Sequence, residues 1–182
     1  MTLTLMTLTL MTARPAAALD CPAERALYEH AGDPRITAGF IPSRHFTSMA
    51  SDLYFRVTTT QRTYWFTVQI SNGYGGASLL AVGDPYIAAD GDPDNGPVEL
   101  GVADGFEHAM GFHPLDEKLA IAGVPQRGDM APPVIFTPDL GLVMWYAPRA
   151  ITQDPMAERD EMDRGAFKLA RCLDRAAPPA YP

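Results

Sequence analysis

Leu53-Tyr54-Phe55-Arg56-Val57-Thr58 and, a few residues on, Tyr64-Trp65-Phe66-Thr67-Val68-Gln69-Ile70 decide the fold. In the first stretch Leu53, Phe55 and Val57 alternate with Tyr54, Arg56 and Thr58. In the second, Tyr64, Phe66, Val68 and Ile70 alternate with Trp65, Thr67 and Gln69. Period-two alternation in β-branched and aromatic residues, on both sides of the polar turn Thr59-Thr60-Gln61-Arg62, predicts an antiparallel hairpin over Asp52 to Ile70.

Outward from the hairpin the chain keeps reading as short strands. Arg35 to Ile41 is a strand ended by Pro42, and Asn72-Gly73-Tyr74-Gly75-Gly76 is a turn into the apolar strand Ala77 to Val82. Asp84 to Pro97 is acidic and rich in Pro and Gly, the composition of a surface loop. Val98 to Val102, Leu119 to Val124 and Pro133 to Phe136 are further short strands, Leu142 to Tyr146 reads as a buried strand, and Ala166 to Cys172 closes the sheet. Two segments are helix candidates. Pro22 to His30 has Pro at an early position, Glu24 in its first turn and Gly32 as a stop, and the charged run Pro155 to Arg164 lacks glycine. The fold class is mainly β, a β-rich α+β domain: a single antiparallel sheet, a sandwich or an open barrel with one or two short helices.

Composition fits that reading. Gly and Pro together make 32 of 182 residues, above the roughly 12% average, which favours strands and turns over a helical bundle. Net charge is −8, and only two lysines occur among scattered arginines. Without a basic stripe to release counterions, nucleic-acid binding is excluded as a function class.

Cys21 and Cys172 are the only cysteines. Residues 1–18 form an apolar segment ending in Ala16-Ala17-Ala18, the small-residue pattern of a cleaved signal peptide, which would leave a domain over 19–175 and a flexible tail over 176–182. Against export, no Lys or Arg precedes the apolar run, and its Leu/Thr alternation has the period of a strand. An edge strand, or an upstream start wrongly assigned, is the other reading. Asp20 stands where a lipoprotein box needs a small residue. No other segment approaches the roughly 20 apolar residues that span a membrane. With export, Cys21 and Cys172 pair as a disulfide in a periplasmic or secreted protein; without it they are buried thiols.

Candidate chemistry is sparse. Asp90, Asp92 and Asp94 lie in Asp90-Gly91-Asp92-Pro93-Asp94-Asn95-Gly96 and bring a calcium loop to mind, but the glycine and the closing acid fall out of register. His108 and His113, near Glu107, Asp116 and Glu117, are the candidates for metal or general-base chemistry. Their spacing of five misses the shared helix face that a spacing of four gives, and Gly111 and Pro114 argue for a loop. The glycines of Asn72 to Ser78 lack the lysine of a phosphate loop, so a tight turn accounts for them. Trp65 lies on the strand face opposite Tyr64 and Phe66. With Tyr74 it is the candidate binding surface, set against simple packing on the outer face.

Cys21, Tyr64-Trp65-Phe66, Asn72 to Gly76 and Cys172 together resemble the pattern of small exported bacterial proteins of unknown function. The resemblance implies export and a disulfide and carries no activity. The expected function is therefore an exported, non-catalytic domain that binds a small ligand or an envelope protein, or serves a structural role there, with no cofactor. The alternative is a metal-assisted hydrolase using His108 and His113 with nearby carboxylates. Partner identity is left open.

Overall fold

The predicted hairpin forms in the computed structural model, which describes residues 20–45, 48, 50–71, 76–87, 96–101 and 110–181. It supplies the third and fourth of nine strands: β1 (Ala26–His30), β2 (Thr37–Pro42), β3 (Leu53–Thr58), β4 (Thr63–Ile70), β5 (Ala77–Val82), β6 (Glu99–Gly101), β7 (Gly111–Leu115), β8 (Val134–Phe136) and β9 (Ala166–Cys172). One short helix, α1, spans Leu140–Tyr146. All named strand pairs are antiparallel, and β3 meets β4 with Phe55 opposite Phe66 and Thr58 opposite Thr63.

The sheet closes on itself. Its order is β4-β3-β2-β1-β9-β8-β7-β5, and β5 pairs back onto β4, making an eight-stranded barrel with β6 added beside the end of β5. The sandwich and open-barrel alternatives are thereby corrected. The seam joins the first strand to the last, with Ala26 opposite Cys172 and His30 opposite Phe167.

Alternation along the strands puts one apolar set of side chains inside. Phe40, Phe55, Phe112 and Phe167 are buried with Tyr28, Tyr64 and Phe66. Their rings meet mostly edge to face: Phe55 lies 5.2 Å from Phe112 and 6.2 Å from Phe167, centroid to centroid. An eight-stranded barrel is just wide enough for side chains to fill, and here they do.

The pairing registers sort the strand termini into two ends. At one end lie Ala26, Pro42, Leu53, Leu115, Val134 and Cys172. This end is sealed by the residues before β1 and those before β8. Ala131 N–H donates to the Cys21 carbonyl and Ala23 N–H to that of Asp129, both at 2.8 Å. The Cys21–Cys172 disulfide, with Cα atoms 5.5 Å apart, lies across the same end. At the other end lie His30, Thr37, Thr58, Thr63, Phe136 and Ala166, covered by residues 137–165, which include α1.

Several expectations need correction. Pro22–His30 is a 3-10 turn, Ala23–Arg25, followed by β1. Helix-start residues lose to ladders available on both sides, and Ala26, Tyr28 and His30 alternate inward. Leu142–Tyr146 is not a strand but part of α1, because Leu140, Val143 and Met144 share one inward face at helical spacing. Pro155–Arg164 forms no helix: Ala157, Asp160 and Met162 are pulled inward one by one along a non-helical path. Leu119–Val124 forms no strand beyond a single bridge from Ile121 to Leu115. Gly111–Leu115, read as a loop, is β7.

The C-terminal residues expected to be flexible are a strap. Ala180 is buried and its N–H donates to the Pro42 carbonyl at 2.8 Å, while the Tyr54 hydroxyl donates to the Tyr181 carbonyl at 2.5 Å. Beneath it Ile41, Tyr54, Trp65 and Val82 form a second apolar cluster on the outer wall of the barrel.

The disulfide ties residues 151 apart, for which loop-closure entropy gives about 5 kcal/mol as an upper value. Replacing both cysteines by serine should lower the urea midpoint markedly, with reductant reproducing the loss in the unaltered chain. Equal midpoints with and without reductant would contradict it.

Candidate functional site

The end of the barrel covered by residues 137–165 carries two neighbouring exposed aromatic side chains and several hollows. Helix α1 is only two turns long. Its inner face, Leu140, Val143 and Met144, is fully buried, and its outer residues at the C-terminal turn are left in solvent. Gly141 permits the close packing, since a Cβ there would collide with the Met162 carbonyl oxygen. Trp145 is 37% exposed and its neighbour Tyr146 is 64% exposed.

The irregular segment C-terminal to α1 is held in place by one buried carboxylate. Asp160 Oδ2 accepts hydrogen bonds from Thr59 Oγ1 at 2.6 Å and from the Tyr64 hydroxyl at 3.0 Å, and lies 3.9 Å from Arg62 Nε. Burial first, and the Asp160 charge second, push the Tyr64 hydroxyl above its ordinary value, so it remains a donor. Asp160 N–H in turn donates to the Met144 carbonyl at 3.2 Å, pinning the segment to α1. With Asp160 drawn inward, the preceding side chain must point outward, and the Arg159 guanidinium lies over the Trp145 ring, 5.2 Å from its centroid. Trp145, Tyr146, Pro148, Arg149, Ala157 and Arg159 line an open hollow of about 770 Å³.

Two other hollows at this end are polar. One, about 320 Å³, has Arg62, Gln153, Asp84 and Asp154 around it. The other, about 510 Å³, is crowded by Asp33, Asp160, Glu161 and Asp163 beside Arg35. The Arg35 guanidinium, bonded to the Asp33 carboxylate, holds that carboxyl down at about 2.

The residues singled out from sequence do not line the hollow beside Trp145. Trp65 is buried under the C-terminal strap, edge-on to Tyr86 at 5.8 Å and with the Arg56 guanidinium 5.8 Å from its ring centre. It packs the outer wall and also borders the polar hollow of about 320 Å³. His113 is on the outside of β7 opposite Phe136, the two ring centres 6.3 Å apart. Tyr74, His108, Asp90, Asp92 and Asp94 lie outside the described residues. Among the described residues no group of three or more His, Cys, Asp or Glu side chains is placed to hold a metal ion. Cys21 and Cys172 are brought together as expected. Trp145, Tyr146, Arg159 and Asp160 were not anticipated. The spacing of Leu140, Val143 and Met144 was the available signal for a helix whose far face exposes Trp145.

No family model matches the chain, and neither a curated protein nor a solved structure matches it.

The same end contains a buried titratable group. His30 is 2% exposed, and its Nδ1 accepts from the N–H groups of Gly32 at 3.2 Å and Asp33 at 3.3 Å. Its Nε2 faces Gly165, where a Cβ would lie 2.6 Å away. Burial lowers the imidazole below its usual value, outweighing the upward pull of Asp163 and Asp33. The folded state therefore prefers neutral His30. Its stabilising contribution is present above the unfolded value near 6.5 and is lost as pH falls through the folded one, at up to about 1.4 kcal/mol per pH unit. Urea midpoints should fall between pH 7 and 5 in the unaltered protein, and that slope should flatten in His30→Gln. Parallel profiles for the two proteins would contradict the assignment.

Proposed function

We propose that this chain is an exported, non-catalytic binding domain that docks a protein partner on the barrel end carrying Trp145 and Tyr146. The observation that carries the reading is the pairing of these two exposed aromatic side chains with an arginine stacked on the indole. The barrel interior is filled by its own rings, which leaves ligand recognition to the surface. Tryptophan, tyrosine and arginine are enriched at interface hot spots: the two aromatic rings cover a large area at low entropic cost, and the guanidinium adds a planar fork of donors. The hollow's walls are largely apolar and its rim carries Arg149 and Arg159 together with Glu158, so the fitting partner element is an apolar side chain flanked mainly by carboxylates. The disulfide supports an oxidising compartment, periplasmic or extracellular. No helix among the described residues is long and apolar enough to cross a membrane.

A photo-crosslinking residue replacing Tyr146, in cells that produce the protein, should yield a discrete protein adduct. The same residue replacing Lys168, on the outer barrel wall, should not. Adding Trp145→Ala should cut the adduct yield by roughly 30-fold or more, as expected for an interface anchor of about 2 kcal/mol, with an unchanged Tm. Equal labelling from both positions, or none from Tyr146, would contradict the proposal.

A further inference from the structure

The connection from β7 to β8 begins with a feature that a surface loop does not need. Leu119 has φ 62°, the one non-glycine residue at positive φ among the described residues, and it is 67% exposed. Turns ordinarily place glycine or asparagine in this conformation, since a Cβ crowds the backbone there. The turn is rigid nonetheless. Asp116 Oδ1 accepts from the N–H groups of Lys118 at 2.8 Å and Ala120 at 2.9 Å, and Leu119 N–H donates to the Asp116 carbonyl at 3.0 Å. Ile121, 76% exposed, stands beside it, and Ala122 N–H fixes the exit of the turn on the Pro114 carbonyl at 2.8 Å. Two large aliphatic side chains are thus held out in water by a turn whose backbone is strained at Leu119. A rigid element of this kind loses little freedom on insertion into a partner.

The same molecule has a receptor of the right chemistry, and this step rests on reading the Trp145–Tyr146 hollow as a docking surface. We infer that the Leu119–Ile121 knob of one copy inserts into the Trp145–Arg159 hollow of a second copy, so that the chains associate head to tail. The hollow's volume of about 770 Å³ lies in the range of built pockets, about 300–1,000 Å³. Charges match in sign: Asp116, Glu117 and Lys118 accompany the knob, while Arg149, Glu158 and Arg159 border the hollow. The carboxylates of the knob face guanidinium groups, and Lys118 has Glu158. These local pairs act against the long-range repulsion between two copies that each carry a net charge of −8.

Topology fixes the symmetry. The knob comes after Leu115 and precedes Val134, so it lies at the end of the barrel sealed by the disulfide. The hollow lies at the opposite end, after Phe136 and before Ala166. Two surfaces at opposite ends give a heterologous contact, in which every added copy presents a fresh hollow or knob.

Sedimentation velocity on the full oxidised chain, from micromolar to millimolar concentration, tests the head-to-tail contact. The expected mass rises with concentration and passes beyond a dimer. Leu119→Asp and Trp145→Ala should each remain monomeric. Mixed in equal amounts they should form a dimer and stop there, because one retains the hollow and the other the knob. Leu119→Gly should raise Tm by relieving the backbone while weakening association roughly tenfold or more, which separates lost contact from lost folding. A monomer at all concentrations, an association that ends at two, or a mixture that stays monomeric would overturn the inference. A monomeric chain that still gives a Tyr146 adduct with a different protein would overturn self-association and leave the docking surface standing; a monomer with no adduct would overturn both.

Discussion

The antiparallel pairing of β1 with β9, Ala26 opposite Cys172 and His30 opposite Phe167, is the contact on which the rest of the molecule depends. It joins the first strand of the barrel to the last and removes the two edges that an open sheet would expose. It also sets the circumference at eight strands, and eight strands enclose little more than their own side chains. Tyr28, Phe40, Phe55, Phe112 and Phe167 occupy that space. The disulfide lies across one end of the seam, and buried His30 stands against Gly165 at the other.

Closure moves the chemistry of this protein to the ends of the cylinder, where regular strands give out and the chain must satisfy its backbone by other means. At one end the Cys21 and Asp129 carbonyls accept from Ala131 and Ala23. At the other, Asp160 carries the main tertiary link. A buried carboxylate is costly unless it is hydrogen-bonded, and Thr59 and Tyr64 both donate to its Oδ2. By anchoring an otherwise irregular charged segment, Asp160 also determines where Arg159 and Trp145 emerge. The exposed aromatic surface is thus a consequence of how that end is closed.

Much of the fold was legible in the sequence. The β3–β4 hairpin, β5 from Ala77 to Val82 and β9 from Ala166 to Cys172 follow from local alternation, and two cysteines admit one intramolecular pairing. Closure was not legible, because nothing local distinguishes a sheet whose last strand returns to its first from one that stays open. The start of β1 was masked by Pro22 and Glu24, good helix-starting residues overruled by hydrogen-bonding partners on both sides. In Leu140–Tyr146 a short apolar run reads equally as strand or helix, and the helical reading is what turns Trp145 outward. Asp160 carried no local signal at all, since its partners Thr59 and Tyr64 lie 101 and 96 residues away.

The measurement that tests the closed, self-filled barrel most directly is residue-resolved amide hydrogen exchange on the oxidised protein. The seam amides of β1 and β9 that face each other should exchange as slowly as those between β3 and β4, since both belong to one cooperative barrel. Seam amides exchanging orders of magnitude faster, with β3 and β4 still protected, would mean an open sheet and would remove the reason for placing recognition at the ends.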